Sequence, residues 1–169
     1  VNQINCNPAI KVPSNRDALW KALLDDRLDV IATDHAPHTW EEKNVAYEQA
    51  HAGLPLVQHS VLLMLEYVQK GYLSIAKVAE KMSHAVATCF NVYNRGFIRE
   101  GYYADLFIAD LNATTATNQQ ILYKCGWSPF AGHTFPARIT HTFVNGHLLY
   151  ENGKWEESQK GKRLQFERS

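Results

Sequence analysis

Leu28-Asp29-Val30-Ile31 runs directly into Ala32-Thr33-Asp34-His35-Ala36-Pro37-His38, and this junction limits the fold more than any other stretch. The first part is short, apolar around Asp29 and β-branched at its centre, the pattern of a buried strand over residues 29–33. Thr39-Trp40-Glu41-Glu42-Lys43 then opens a polar loop. An acidic residue at the C-terminal end of a buried strand sits where α/β barrels keep their chemistry. A carboxylate followed within four residues by two imidazoles can bind metal, carry protons and grip an anion. An isolated Asp-His pair would more often be a capping residue beside ordinary loop histidines.

Around this junction the elements alternate. Residues 1–6 read as a strand ending at Asn7-Pro8, and Pro8 and Pro13 break the backbone. Ser14 with Asp17 makes an approximate capping box for a helix reaching Asp25, with Ala18, Leu19, Ala22 and Leu23 on its apolar face. Strand, loop, helix, strand, loop is the repeat of a parallel α/β fold. Residues 34–53 form a loop long enough to be functional. After Pro55, Val57, Val61, Leu62, Leu65 and Val68 trace a helix stopping near Lys70-Gly71. Ser74 and Ser83 are placed to cap two more helices. From Arg95 the texture turns to β: a strand over residues 104–110, then a hairpin at Asn145-Gly146 and a further turn at Asn152-Gly153.

Composition narrows the possible partners. At 169 residues and 46% hydrophobic, the chain holds about one domain, short of the roughly 250 residues of a full barrel. Seventeen basic against seventeen acidic residues recruit neither nucleic acid nor an anionic membrane. No apolar run approaches the length of about 18 residues a membrane span needs. Cys6, Cys89 and Cys125 suggest no disulfide framework or Cys-x-x-Cys metal site, and a reducing cytoplasm fits them best.

Thr33-Asp34-His35-Ala36-Pro37-His38, with Glu41-Glu42-Lys43 behind it, resembles the signature of the dihydroorotases, cyclic amidohydrolases of pyrimidine biosynthesis. Asn5-Cys6-Asn7-Pro8, Ala104-Asp105-Leu106 and Ser128-Pro129-Phe130 agree in the same order. The resemblance covers the C-terminal part of that family's chain. It implies an α/β fold: the last strand–helix units of a (β/α)8 barrel with capping helices over residues 1–94, and part of a small flanking β-sandwich over 95–155. Residues 156–169 are a charged tail, expected to fray.

The resemblance also assigns roles. Asp34 would touch a metal centre of one or two zinc ions, take a proton from the activated water and deliver it to the leaving amide nitrogen. His38 and Asn7 would bind the substrate, and the backbone at Ala52 and Gly53 would meet its ring. His35 receives no ligand role. Ser128-Pro129-Phe130 has no base beside it and is no nucleophile motif, and its place in the family is structural. Two departures weaken secondary contacts: Lys11 stands where the family carries an anion-binding Arg, and Gln58 where it carries Glu. The family's His-x-His pair, bridging lysine and middle-strand histidines are not in this sequence. The expectation is therefore part of an active site, inactive alone, whose partners are dihydroorotate or N-carbamoyl-aspartate and the N-terminal barrel half, within a homo-oligomer of the whole enzyme. Allantoinase or hydantoinase chemistry, and a non-catalytic subunit supporting a transcarbamoylase, are the alternatives.

Overall fold

The computed structural model describes residues 2–118 and 121–167. The strand expected at the N-terminus begins at Val1, outside the described residues, and Asn2–Ile4 form a single 3-10 turn instead. A strand requires a neighbour, and here the backbone bonds locally, Asn5 N–H donating to Asn2 O. Helix α1 spans Pro13–Leu24 with Val12 as an N-cap lacking any side-chain bond. Proline's preset φ starts this helix, so Ser14 already lies inside it and the expected capping box does not form. Its one buried residue is Leu23. Trp20 extends the contact by meeting Tyr67 and Tyr72 at ring distances of 4.7 and 5.4 Å.

Residues 29–33 also pair with no strand among the described residues. Ile31 N–H donates to Lys81 O, and the buried Lys81 ammonium bonds Leu28 O at 2.7 Å and pairs with Asp26. The segment is thus fastened to the helical layer. The long polar loop contains a short helix α2, Trp40–Lys43, closed by a capping box. Glu42 N–H donates to Thr39 Oγ1, and Thr39 N–H donates to Glu42 Oε2, satisfying two donors a helix start leaves open.

Helix α3, Ser60–Gln69, follows the apolar stripe read from the sequence. Ser74 caps α4, Ile75–Ala79, accepting from Lys77 N–H. The expected new start at Ser83 does not occur. With no Gly or Pro to stop it, the chain continues through a π-helical turn, Glu80–His84, into α5, Ala85–Cys89.

The C-terminal part is antiparallel. Strands β1 (Leu106–Asp110), β4 (Arg138–Val144), β5 (His147–Glu151) and β6 (Lys154–Trp155) form one sheet in that order, and β2 (Thr115–Ala116) pairs with β3 (Thr134–Phe135). Both two-residue turns carry positive φ at each position, Asn145 and Gly146 at 52° and 82°, Asn152 and Gly153 at 45° and 93°. Those angles suit the right-handed twist of a hairpin. Leu62 and Leu65 of α3 pack on Phe135 and Ala137, with Val61, Phe130 and Ile139 around them. Burial of Leu62, Leu65 and Phe135 contributes about 1.5–3 kcal/mol each. The buried Arg95 guanidinium joins helices to sheet: it pairs with Asp105, donates to Asn145 Oδ1 and lies on the Tyr103 ring. The tail does not fray throughout. Tyr93 N–H donates to Gln165 O, and Glu167 N–H to Asn91 O.

Candidate active site

Asp34 stands at φ 46°, a left-handed conformation that Asp tolerates better than most residues. It is exposed. Among the described residues no hydrogen bond or ion pair engages its carboxylate, so the group is open to a ligand. The next residue, also exposed, is tied down: His35 Nδ1 accepts from Leu56 and Val57 N–H at 2.9 and 3.3 Å. Ala36 N–H donates to Leu54 O, and His35 forms a parallel bridge with Leu54.

His38 is half-buried and faces the far end of the loop. Its ring stacks on His51, centroids 4.9 Å apart and planes 12° from parallel. Its Nδ1 lies 3.5 Å from Glu42 Oε2, and its carbonyl accepts from Trp127 Nε1–H. Gly53, at φ 145°, is buried against this segment: a Cβ there would lie 2.5 Å from Ala36 O and 3.1 Å from His38 Cδ2. Ala52 is exposed beside it. Asn7 is exposed two residues beyond Asn5, whose carbonyl accepts from Gly53 N–H and whose amide donates to Ala50 O. The chain therefore brings residues 5, 36–38 and 50–53 together. Among the described residues, no hydrogen bond or ion pair joins the Asp34 or Asn7 side chain to His38.

Lys43 was legible only as the end of the Glu-Glu-Lys string, yet it organises this cluster. It is 1% exposed. Its ammonium donates to Asn5 O, His51 O and Gly53 O at 3.1, 2.8 and 3.1 Å. Burial holds its pKa below the ordinary lysine range, while the carbonyls compensate the lost water. Glu42 is held below the usual carboxylate range, chiefly by the Thr39 N–H it accepts.

Ser128 has a base beside it after all, and sequence distance had concealed it. Its Oγ and the Tyr123 hydroxyl both lie 3.3 Å from His59 Nδ1. All are buried. Burial pushes the Tyr123 phenol up to about 12 and the His59 imidazole down, so both stay neutral near pH 7. Phe130 N–H donates to Ser128 Oγ, and Gln58 N–H to Tyr123 Oη. This is a satisfied polar knot under α3 rather than an activated nucleophile. A cavity of about 690 Å³ lined by His35, Pro37, Thr39, Glu42 and Tyr123 borders the knot, and neither Asp34 nor His38 lines it.

Among the described residues no group of three or more His, Cys, Asp or Glu side chains is placed to hold a metal ion. A catalytic zinc site takes several protein ligands and an open position, so this donor set does not complete one. No described helix is long and apolar enough to cross a membrane.

The chain is 34% identical over 158 residues to the dihydroorotase of Pyrococcus furiosus, covering 93% of this chain and 36% of that protein. To the dihydroorotase of Listeria welshimeri it is 36% identical over 154 residues, 90% of this chain and 36% of that one. It thus spans about a third of the length of the curated relatives it matches. Among solved structures it superposes on the L-hydantoinase (dihydropyrimidinase) of Arthrobacter aurescens with TM-score 0.82 and 28% identity, over 92% of this chain and 36% of that one. The D-hydantoinase (dihydropyrimidinase) of Thermus sp. gives TM-score 0.82 at 24% identity, over 92% and 35%, a likeness of fold. With the amidohydrolase family profile matching residues 3–149, the α/β scaffold that presents Asp34 is a (β/α)8-type amidohydrolase scaffold, and the chain belongs to the amidohydrolase family.

Proposed function

We propose that this chain forms the Asp34 side of a dihydroorotase active site, in an enzyme that reversibly hydrolyses the cyclic amide of dihydroorotate to N-carbamoyl-L-aspartate. The carrying observation is an exposed, unengaged Asp34 carboxylate on the same loop as a His38 packed against Gly53. In the hydrolytic direction, water adds to the ring carbonyl carbon and the ring C–N bond breaks. Asp34 Oδ accepts the proton that the water gives up and delivers it to the departing nitrogen. His38 and Asn7 grip the substrate's polar groups, and the backbone at Ala52 and Gly53 lies against the ring. The missing side chain of Gly53 makes room for Ala36 and His38.

Zinc is the metal the family reading implies, yet the described residues do not make a zinc centre by themselves. Its other ligands belong to polypeptide outside these residues, and no step here is drawn through it. We place the enzyme in pyrimidine biosynthesis in the cytoplasm, as a homo-oligomer acting on a small-molecule ring. The likeness to an L-hydantoinase at 28% identity favours a second reading, a hydantoinase-type ring opening. The two differ in the substrate carboxylate, for which His38 is suited as a donor.

The test is hydrolysis of dihydroorotate, hydantoin and allantoin by the protein carrying its full metal-ligand set. Dihydroorotate is expected to be preferred, and Asp34→Asn to lower kcat by about 10²–10⁴-fold. Turnover unchanged in Asp34→Asn would overturn the assignment.

A further inference from the structure

We infer that Lys43 is a positioning residue that sets the carboxylate-binding face of the site by clamping three backbone carbonyls. The inference rests on the dihydroorotase reading for its substrate, and on geometry for everything else. Three loop segments meet at one buried ammonium: Asn5 O, His51 O and Gly53 O. A long flexible side chain is held there in one arrangement, and its charge is withdrawn from water. No carboxylate lies within ion-pair distance of it among the described residues, and its hydrogen bonds go to three carbonyl oxygens.

Each clamped carbonyl bears on the site. His51 is the residue whose ring stacks on His38. Gly53 is the backbone that meets Ala36 and His38. Asn5 leads into Asn7 and also receives Gly53 N–H. Without the ammonium, His51 O and Gly53 O lose this donor and Asn5 O keeps only Gly53 N–H, so the loop turns toward water. His51 then leaves the His38 ring, and the imidazole that grips the anion loses its fixed orientation.

Lys43→Met, close in length but without donors, is the informative variant. In the metal-complete enzyme its KM for dihydroorotate is expected to rise about tenfold or more with kcat within about threefold, the mark of lost ground-state binding. KM for dihydrouracil, the same ring without a carboxylate, is expected to change less than about threefold. A merely structural lysine would leave the ratio of the two unchanged, and that outcome overturns the proposal. An independent reading needs no turnover: the ring-current-shifted imidazole proton signals of His38 and His51 should move to free-histidine positions in Lys43→Met while circular dichroism is unchanged. Retained shifts overturn the clamp even in an enzyme of other substrate preference. If no ring is hydrolysed by the parent enzyme, the dihydroorotase reading fails and the imidazole signals alone decide. Should Lys43→Met not fold, Lys43→Gln, with two N–H donors for three carbonyls, is read by the same signals at smaller amplitude.

Discussion

Replacing Gly53 with alanine probes the site loop with the smallest possible side chain. Gly53 lies at φ 145°, and its added Cβ would meet Ala36 O at 2.5 Å, Ala36 Cβ at 2.8 Å and His38 Cδ2 at 3.1 Å. Comfortable contact lies near about 3.5 Å, so the first two fall short by about 0.7–1 Å. Those two partners are a backbone oxygen and a Cβ, and neither can swing away on a rotamer. Backbone strain at positive φ costs about 1–3 kcal/mol. Overpacking costs a further ~1–3 kcal/mol, giving about 2–6 kcal/mol together. Gly71→Ala is the control: φ is 77° and nothing lies within 4 Å of the added Cβ, so only a conformational cost of about 1–2 kcal/mol remains. In urea, with a slope near about 2 kcal/mol/M, the Gly53→Ala midpoint should fall below that of Gly71→Ala by at least ~0.5 M. The His38 imidazole signals should shift only in Gly53→Ala. Equal midpoints for the two variants would refute the claim that residue 53 is packed against residues 36–38.

Two further outcomes follow from the core. Phe135 is fully buried against Leu62 and Leu65, with the His133 and Phe130 rings at 4.6 and 5.4 Å. Phe135→Ala should cost about 3–5 kcal/mol in urea unfolding with an unchanged slope, and a loss under ~1 kcal/mol would mean α3 does not rest on β3. His59 is held neutral by burial, its folded pKa lying below the ordinary 6.5. The unfolded chain therefore binds more protons between those two values. Stability should be full above the unfolded pKa and fall as pH drops through it, by up to about 1.4 kcal/mol per pH unit. His59→Asn should flatten that slope measurably, and an identical pH profile in the variant would refute the assignment.

Local chemistry was the most legible part of the sequence. Asn145-Gly146 and Asn152-Gly153 turn as such dipeptides must when two strands need matching twist, and Ser74 caps α4 because an alcohol there meets an otherwise open N–H. Ser14 and Ser83 show the limit of the same rule. A serine is as good a cap at either position, but Pro13 had already started α1, and nothing interrupted the helix before Ser83. Contacts between distant residues were the least legible. Ser128 and His59 are sixty-nine positions apart, and no spacing rule brings them together. Lys43 misleads in another way, since a lysine in a Glu-Glu-Lys string reads as solvated surface. Only the fold supplies three carbonyls that make its burial tolerable.

Residues 29–33 carry this distinction furthest. Their apolar pattern is real: Leu28, Val30, Ile31 and Ala32 line an open cavity of about 1160 Å³ together with Leu19 and Leu23 of α1. Leu19 remains 58% exposed. A hydrophobic pattern records which side chains are suited to burial, whereas a strand also requires a neighbour to complete its hydrogen bonds. Among the described residues none pairs with this segment, so the pattern is present without the ladder. What the segment keeps is the function of a strand end: Ile31 N–H is tied to Lys81 O, the backbone reverses hand at Asp34, and the carboxylate is left facing outward. The position of that carboxylate depends on the tie to the helical layer and on the bonds made by His35 and Ala36 to residues 54–57. Both sets of bonds lie within this chain.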